Sequence, residues 1–136
     1  MEVIVATTQE ALQVSTIVPS LTVDDLQKSL TFYEALGFVV DERWEDKGTL
    51  LGVMMRAGKN QIGLSQDDWK KGRDRKKGVG MRVYMSTTQN VDEIAKRVKS
   101  AGITLAAEPY DTEWKSRAFE VTDPSGFLLT VSSEKL

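Results

Sequence analysis

LTVDDLQKSLTFYEALGF, residues 21–38, holds the end of one strand, a capped helix and the start of the next strand. Leu26, Leu30, Tyr33 and Leu36 recur at helical spacing, Asp24 is the expected cap with Gln27 three residues on, and Gly37 closes the helix. Upstream, TIVPSLTV (16–23) alternates, with Ile17, Pro19, Leu21 and Val23 on one face and Val18, Ser20 and Thr22 on the other. That pattern predicts a strand whose second face is polar. Downstream, FVVDERWE, GTLLGVMMR and NQIGLSQ predict three short strands parted by turns at 46–48 and 57–59. The first half is therefore β-α-β-β-β.

The second half repeats this order. In GVGMRVYMS, Val79, Met81, Val83 and Met85 alternate against Gly80, Arg82, Tyr84 and Ser86. Asn90 then caps VDEIAKRVKSAG, with Glu93 in the capping-box position and Gly102 at the end, and ITLAAEP, TEWKSRAFEVTD and FLLTVSS supply three more strands. The helix-closing glycines Gly37 and Gly102 lie about 65 residues apart and are followed by Phe38 and Ile103, each opening a strand, which points to an internal duplication. The expected division is a module over 15–68, a basic linker over 69–77 and a second module over 78–134, all in one domain spanning 1–136. The linker, in WKKGRDRKKG, could be a phosphate-binding patch or simply a solvated loop.

Composition narrows the chemistry. With 136 residues the chain builds one core, and a formal charge of -2 argues against nucleic acid as a general partner. There is no cysteine, which removes disulfides, thiolate metal sites and thiol nucleophiles, and no histidine, which removes the commonest metal ligand and the readiest proton shuttle. MEVIVATTQEALQ carries neither the basic start of a signal peptide nor an apolar run long enough to span a bilayer, so a cytoplasmic protein without a membrane partner is expected.

The helix run LTVDDLQKSLTFYEALGF and the ending VTDPSGFLLTV, with its D-P-x-G turn before the last strand, resemble the vicinal oxygen chelate superfamily, which includes glyoxalases, extradiol dioxygenases and bleomycin resistance proteins. The resemblance covers about residues 14–133 and implies an α+β fold of two tandem βαβββ modules, their curved mixed sheet wrapped around a cleft. It further implies a homodimer, since most relatives pair modules within or between chains. In metal-dependent relatives, His and Glu residues point into the cleft from the first and last strands of each module. The matching positions here fall on Val18, Gly63 and Thr130, and in the fifth strand on Val83 or, allowing for one extra residue in the following connection, Arg82. Alternation favours Arg82, because Val83 shares the apolar face of Met81 and Met85. Val18, Gly63, Arg82 and Thr130 are not useful ligands for a divalent transition metal, so no metal and no cofactor are expected.

What remains on the polar faces suggests binding of a small molecule. Ser20, Arg82, Tyr84 and Thr130 are candidates on strands, although each hydroxyl could equally sit on a wet sheet face. Arg82 could grip a carboxylate or phosphate, stack on a planar ring, or pair with a carboxylate on a neighbouring strand. Trp44, Trp114 and Tyr110 are candidate walls for a flat ligand, or covers for the core edge. Catalysis would need a base, and the weak candidates are Glu120 with Tyr84; Asp123 in the DPSG turn is better placed to bind turn amides. The leading expectation is a protein that binds a planar or anionic organic ligand without transforming it. The alternatives are a metal-independent lyase or isomerase, and an interaction module with a vestigial cleft.

Overall fold

The structure, a computed structural model, describes residues 2–5 and 10–134. The first module runs β1 (Ser20–Val23), α1 (Leu26–Leu36), β2 (Val39–Asp46), β3 (Thr49–Ala57) and β4 (Asn60–Gln66). The second runs β5 (Arg82–Thr87), α2 (Val91–Ser100), β6 (Ala107–Asp111), β7 (Arg117–Thr122) and β8 (Leu128–Ser133). Each module folds into a four-stranded mixed sheet, ordered β1-β4-β3-β2 and β5-β8-β7-β6, in which the strand before the helix pairs in parallel with the module's last strand. The duplicated β-α-β-β-β order expected from the sequence is the order observed.

Alternation sends one face of each sheet into a shared core. Leu21, Val23, Val53, Met55, Ile62 and Leu64 are buried on the first sheet, and Phe119, Val121, Leu129 and Val131 on the second. Both helices close over them, α1 through Leu26, Leu30, Tyr33 and Leu36 and α2 through Val91, Ile94, Ala95 and Val98. Each fully buried large apolar side chain contributes roughly 1.5–3 kcal/mol relative to exposure. The opposite faces stay polar or open, and these carry the candidate site.

Several local expectations shift. The helix cap is Asp25, whose carboxylate accepts the Lys28 N–H at 3.1 Å, rather than Asp24. Asp24 is drawn off by other partners: its N–H donates to Ser125 Oγ, and its carbonyl accepts from the Gln66 side-chain amide, which in turn accepts the Leu26 N–H. The first strand begins at Ser20 rather than at residue 16, because Pro19 offers no N–H for a ladder, and Ile17 is left 82% exposed. The fifth strand begins at Arg82, leaving Val79 and Met81 exposed before it. Gly78 and Gly126 explain the late start: a Cβ on Gly78 would lie 2.3 Å from the Gly126 carbonyl oxygen, so the backbones touch where no side chain fits. Gly37 closes α1 as expected, in left-handed conformation at φ 112°.

Polar contacts stitch the halves together. The buried Tyr33 hydroxyl on α1 donates to Asp123 Oδ2 at 2.9 Å, while Asp123 Oδ1 accepts the N–H groups of Ser125, Gly126 and Phe127. Burial, reinforced by the Asp123 charge and hydrogen bond, pushes the Tyr33 hydroxyl pKa far above its ordinary value, so it stays a donor. Arg97 on α2 donates to the Leu36 carbonyl at 2.7 Å. The connection between modules is not purely solvated: the Lys77 side chain is only 3% exposed, ion-paired to Asp24 and Asp67, with its Nζ 4.6 Å from the centroid of the Trp69 ring. Trp69 is thereby a structural anchor of the connection.

Candidate functional site

The outward face of the second sheet gathers five candidate residues. Across the strands one row runs Tyr84, Thr130, Glu120 and Ala107, and Arg82 pairs with Leu128 one step along. Because strand side chains alternate, Arg82, Tyr84, Thr130 and Glu120 all point away from the core. Arg82 Nη2 lies 3.3 Å from Glu120 Oε1, and the Tyr110 hydroxyl donates to Glu120 Oε2 at 3.1 Å. Of the uses open to Arg82, the structure realises the ion pair. Tyr110 is kept protonated first by burial and then by its hydrogen bond to Glu120, both of which raise its pKa.

Thr130 sits beneath this pair. It is 2% exposed, and among the described residues its Oγ1 has no hydrogen-bond partner. Tyr84, beside it on β5, is 48% exposed and flanks a cavity of about 420 Å³. That cavity occupies the seam between modules, with Ile17, Pro19 and Gln61 on one side and Val83, Tyr84 and Met85 on the other. A hollow of about 760 Å³ adjoins it and shares Phe38, Ala57, Asn60 and Met85. Both volumes lie within the ordinary range for small-molecule sites. Phe38, Ala57, Asn60 and Met85 were not expected at a site: they meet only where two modules abut, which no periodicity within one module signals.

The first sheet supplies the other candidates. Ser20 pairs in register with Gly63, and its Oγ donates to the Val18 carbonyl at 3.4 Å. Val18 lies ahead of β1 rather than within it. Trp44 stands on β2 opposite Gly52, where a Cβ would come within 3.2 Å of the indole Cε3; the ring therefore rests against bare backbone and remains 46% exposed. Trp114 falls in the turn between β6 and β7, not in a strand, and is 42% exposed. The aromatic candidates are thus spread over both modules.

The four positions matched to metal ligands provide no donor set. Val18 and Gly63 have no side-chain donor atom, Thr130 offers a buried hydroxyl, and Arg82 is a cation already paired with the neighbouring carboxylate. Among the described residues, no three Asp, Glu, His or Cys side chains converge to hold an ion. These residues do not fit a divalent transition metal.

The paired modules and the D-P-x-G turn held by Asp123 now meet a direct comparison. A profile of the Glyoxalase/Bleomycin resistance protein/Dioxygenase superfamily matches residues 13–131. The chain belongs to that superfamily. Solved structures with a similar fold include TioX from Micromonospora sp. ML1, 21% identical over 88% of this chain and 98% of that one, with a TM-score of 0.72. A glyoxalase/bleomycin resistance protein/dioxygenase from Alicyclobacillus acidocaldarius is 20% identical over 88% and 90% of the two chains, at a TM-score of 0.66. Lactoylglutathione lyase from Agrobacterium tumefaciens is 20% identical over 89% and 95%, at 0.64. No curated protein matches the sequence. At these identities the structural likeness establishes the glyoxalase/bleomycin-resistance fold, and the chemistry has to be argued from this chain's own residues.

Proposed function

We propose that this superfamily member binds a small planar or anionic organic molecule in its cleft and sequesters it without turnover, as a metal-free cytoplasmic homodimer. The observation that carries the reading is the Arg82–Glu120–Tyr110 group. It places strong hydrogen-bonding capacity on an open sheet face, where Glu120 is held by two donors. Both Glu120 oxygens are already engaged, Oε1 by Arg82 and Oε2 by the Tyr110 hydroxyl, so a substrate proton would have to compete with two donors for its acceptor, which weighs against catalysis. Half-exposed Tyr84 and Trp44 supply flat apolar surface for a ring. The openness of both polar sheet faces supports closure of the cleft by a second copy.

The test is tryptophan fluorescence titrated with a library of planar drugs and small acids. At least one ligand is expected to bind below about 1 mM, the level equivalent to about -4 kcal/mol. Silence across the library would instead favour an interaction module with a vestigial cleft. Stoichiometric Ni, Zn, Fe or Mn in the purified protein would overturn the metal-free reading. The lyase or isomerase alternative keeps one supporting observation, the 3.1 Å contact between the Tyr110 hydroxyl and Glu120, which could relay a proton. Ligand consumed during incubation, and spared in Glu120→Gln, would establish it.

A further inference from the structure

Resting on the planar rather than the anionic arm of that reading, we propose that the ligand class is electrically neutral: a planar molecule with an amide-type edge, one acceptor beside one donor. Arg82 does not stand alone on the sheet. Its guanidinium, with the side chain 50% exposed, is paired at 3.3 Å with Glu120, whose side chain is 19% exposed. Glu120 is also fixed from the other side by the Tyr110 hydroxyl. The positions that register beside the pair on β7 and β8 are Ala118, Thr122, Leu128, Thr130 and Ser132, none of them charged. The other cation on these strands, Arg117 of β7, alternates to the opposite face from Glu120 and is paired with Asp92 and Asp111, so it does not offset a negative charge arriving at Arg82.

The consequence for selectivity follows from charge and hydrogen-bond capacity. A ligand carboxylate that reached Arg82 would lie beside Glu120, or would have to displace it from its partner; both oppose binding. A ligand ammonium that reached Glu120 would meet Arg82 in the same way. A neutral amide meets neither penalty. A guanidinium has five N–H donors and a carboxylate about four lone-pair positions, so after the pair forms each retains unused capacity. The amide carbonyl accepts from Arg82, its N–H donates to Glu120, and the ring lies against the half-exposed Tyr84 side of the face.

The experiment is calorimetric titration of the wild-type protein at pH 7 with 2-naphthamide, 2-naphthoate and 2-naphthylmethylammonium, which share one ring and differ in charge. The amide is expected to bind at least tenfold more tightly than either ion. Glu120→Gln, which frees Arg82, is expected to strengthen 2-naphthoate at least tenfold. Should that variant melt early, the wild-type ratio still decides, and Arg82→Gln should erase the amide preference. Naphthoate binding as tightly as the amide would overturn the neutral-ligand inference and leave the small-molecule reading standing. Absence of binding by all three below about 1 mM would also overturn it, while the broader reading is decided separately by the drug library.

Discussion

Arg82 on β5 reaches past β8 to Glu120 on β7, closing to 3.3 Å and bridging two strands that are not neighbours in the second sheet. The contact is diagonal because Glu120 registers with Thr130 and Thr130 with Tyr84, two residues along from Arg82. It converts an isolated cation into half of a neutral pair. The stability it adds is small, since pairs this exposed contribute about 0–1 kcal/mol. Arg82→Ala should therefore leave the melting temperature within about 4 °C of wild type while weakening ligand binding at least tenfold. Thermal melts with ligand titration check both, and unchanged affinity would remove Arg82 from the site.

Thr130 offers the opposite separation. Among the described residues its buried Oγ1 has no partner, and an unsatisfied buried hydroxyl costs free energy that an isosteric methyl does not. Thr130→Val should stabilise the fold by up to about 1 kcal/mol, measured by urea denaturation. A loss of stability instead would mean that the hydroxyl is satisfied in solution.

The Tyr33–Asp123 bond controls the alkaline limit. Burial raises the Tyr33 pKa in the fold, so its contribution is fully present below the ordinary 10.0 and is lost as the pH rises beyond it. Tyr33→Phe should cost about 1–3 kcal/mol at pH 7 by stranding Asp123 Oδ2. It should also flatten the decline in stability above pH 10. Denaturant midpoints from pH 7 to 11 for both proteins test the two effects, and parallel curves would refute the assignment.

Lys77 locks the connection between modules. Burial alone would lower its pKa, but the hydrogen bonds and charges of Asp24 and Asp67 outweigh it and the net shift is upward. The Lys77 hydrogen bond is the chief cause holding Asp67 below its ordinary 3.8. The pair's contribution therefore falls away at both extremes: as the pH drops below 3.8 on the Asp67 side, and as it climbs above 10.5 on the Lys77 side. Lys77→Met leaves Asp67 with Arg75 at 3.6 Å and should lower the melting temperature by roughly 5–10 °C. Limited proteolysis should then cut within 69–78 sooner than in wild type. A protected connection would show that the lock is dispensable.

Much of the architecture was written locally. Helical spacing at Leu26, Leu30, Tyr33 and Leu36, the Asn90 cap and the left-handed Gly37 each depend on a few adjacent residues, and each forms as expected. Strand boundaries were less legible. Pro19 shortened β1 through its missing N–H, and the backbone contact of Gly78 with Gly126 delayed β5; the latter joins residues 48 apart in the chain. Asp24 looked like a cap by spacing, yet Ser125, Gln66 and Lys77, all distant in sequence, claimed it.

The sequence by itself determined the duplicated module order, the inward apolar faces, the outward placement of Arg82, and a chain without histidine or cysteine to hold a transition metal. Periodicity of two or 3.6 residues carries that information because it reports which side of an element meets the core. Only the tertiary structure decided what Arg82 does. Its partner lies 38 residues away on a strand that is not its neighbour, and Tyr110 joins the pair from a fourth strand. The seam cavity beside Tyr84 was likewise undetermined until the modules packed, because its two walls come from different halves of the chain. Registers between strands and the docking of modules are set by long-range packing, which local sequence patterns do not encode.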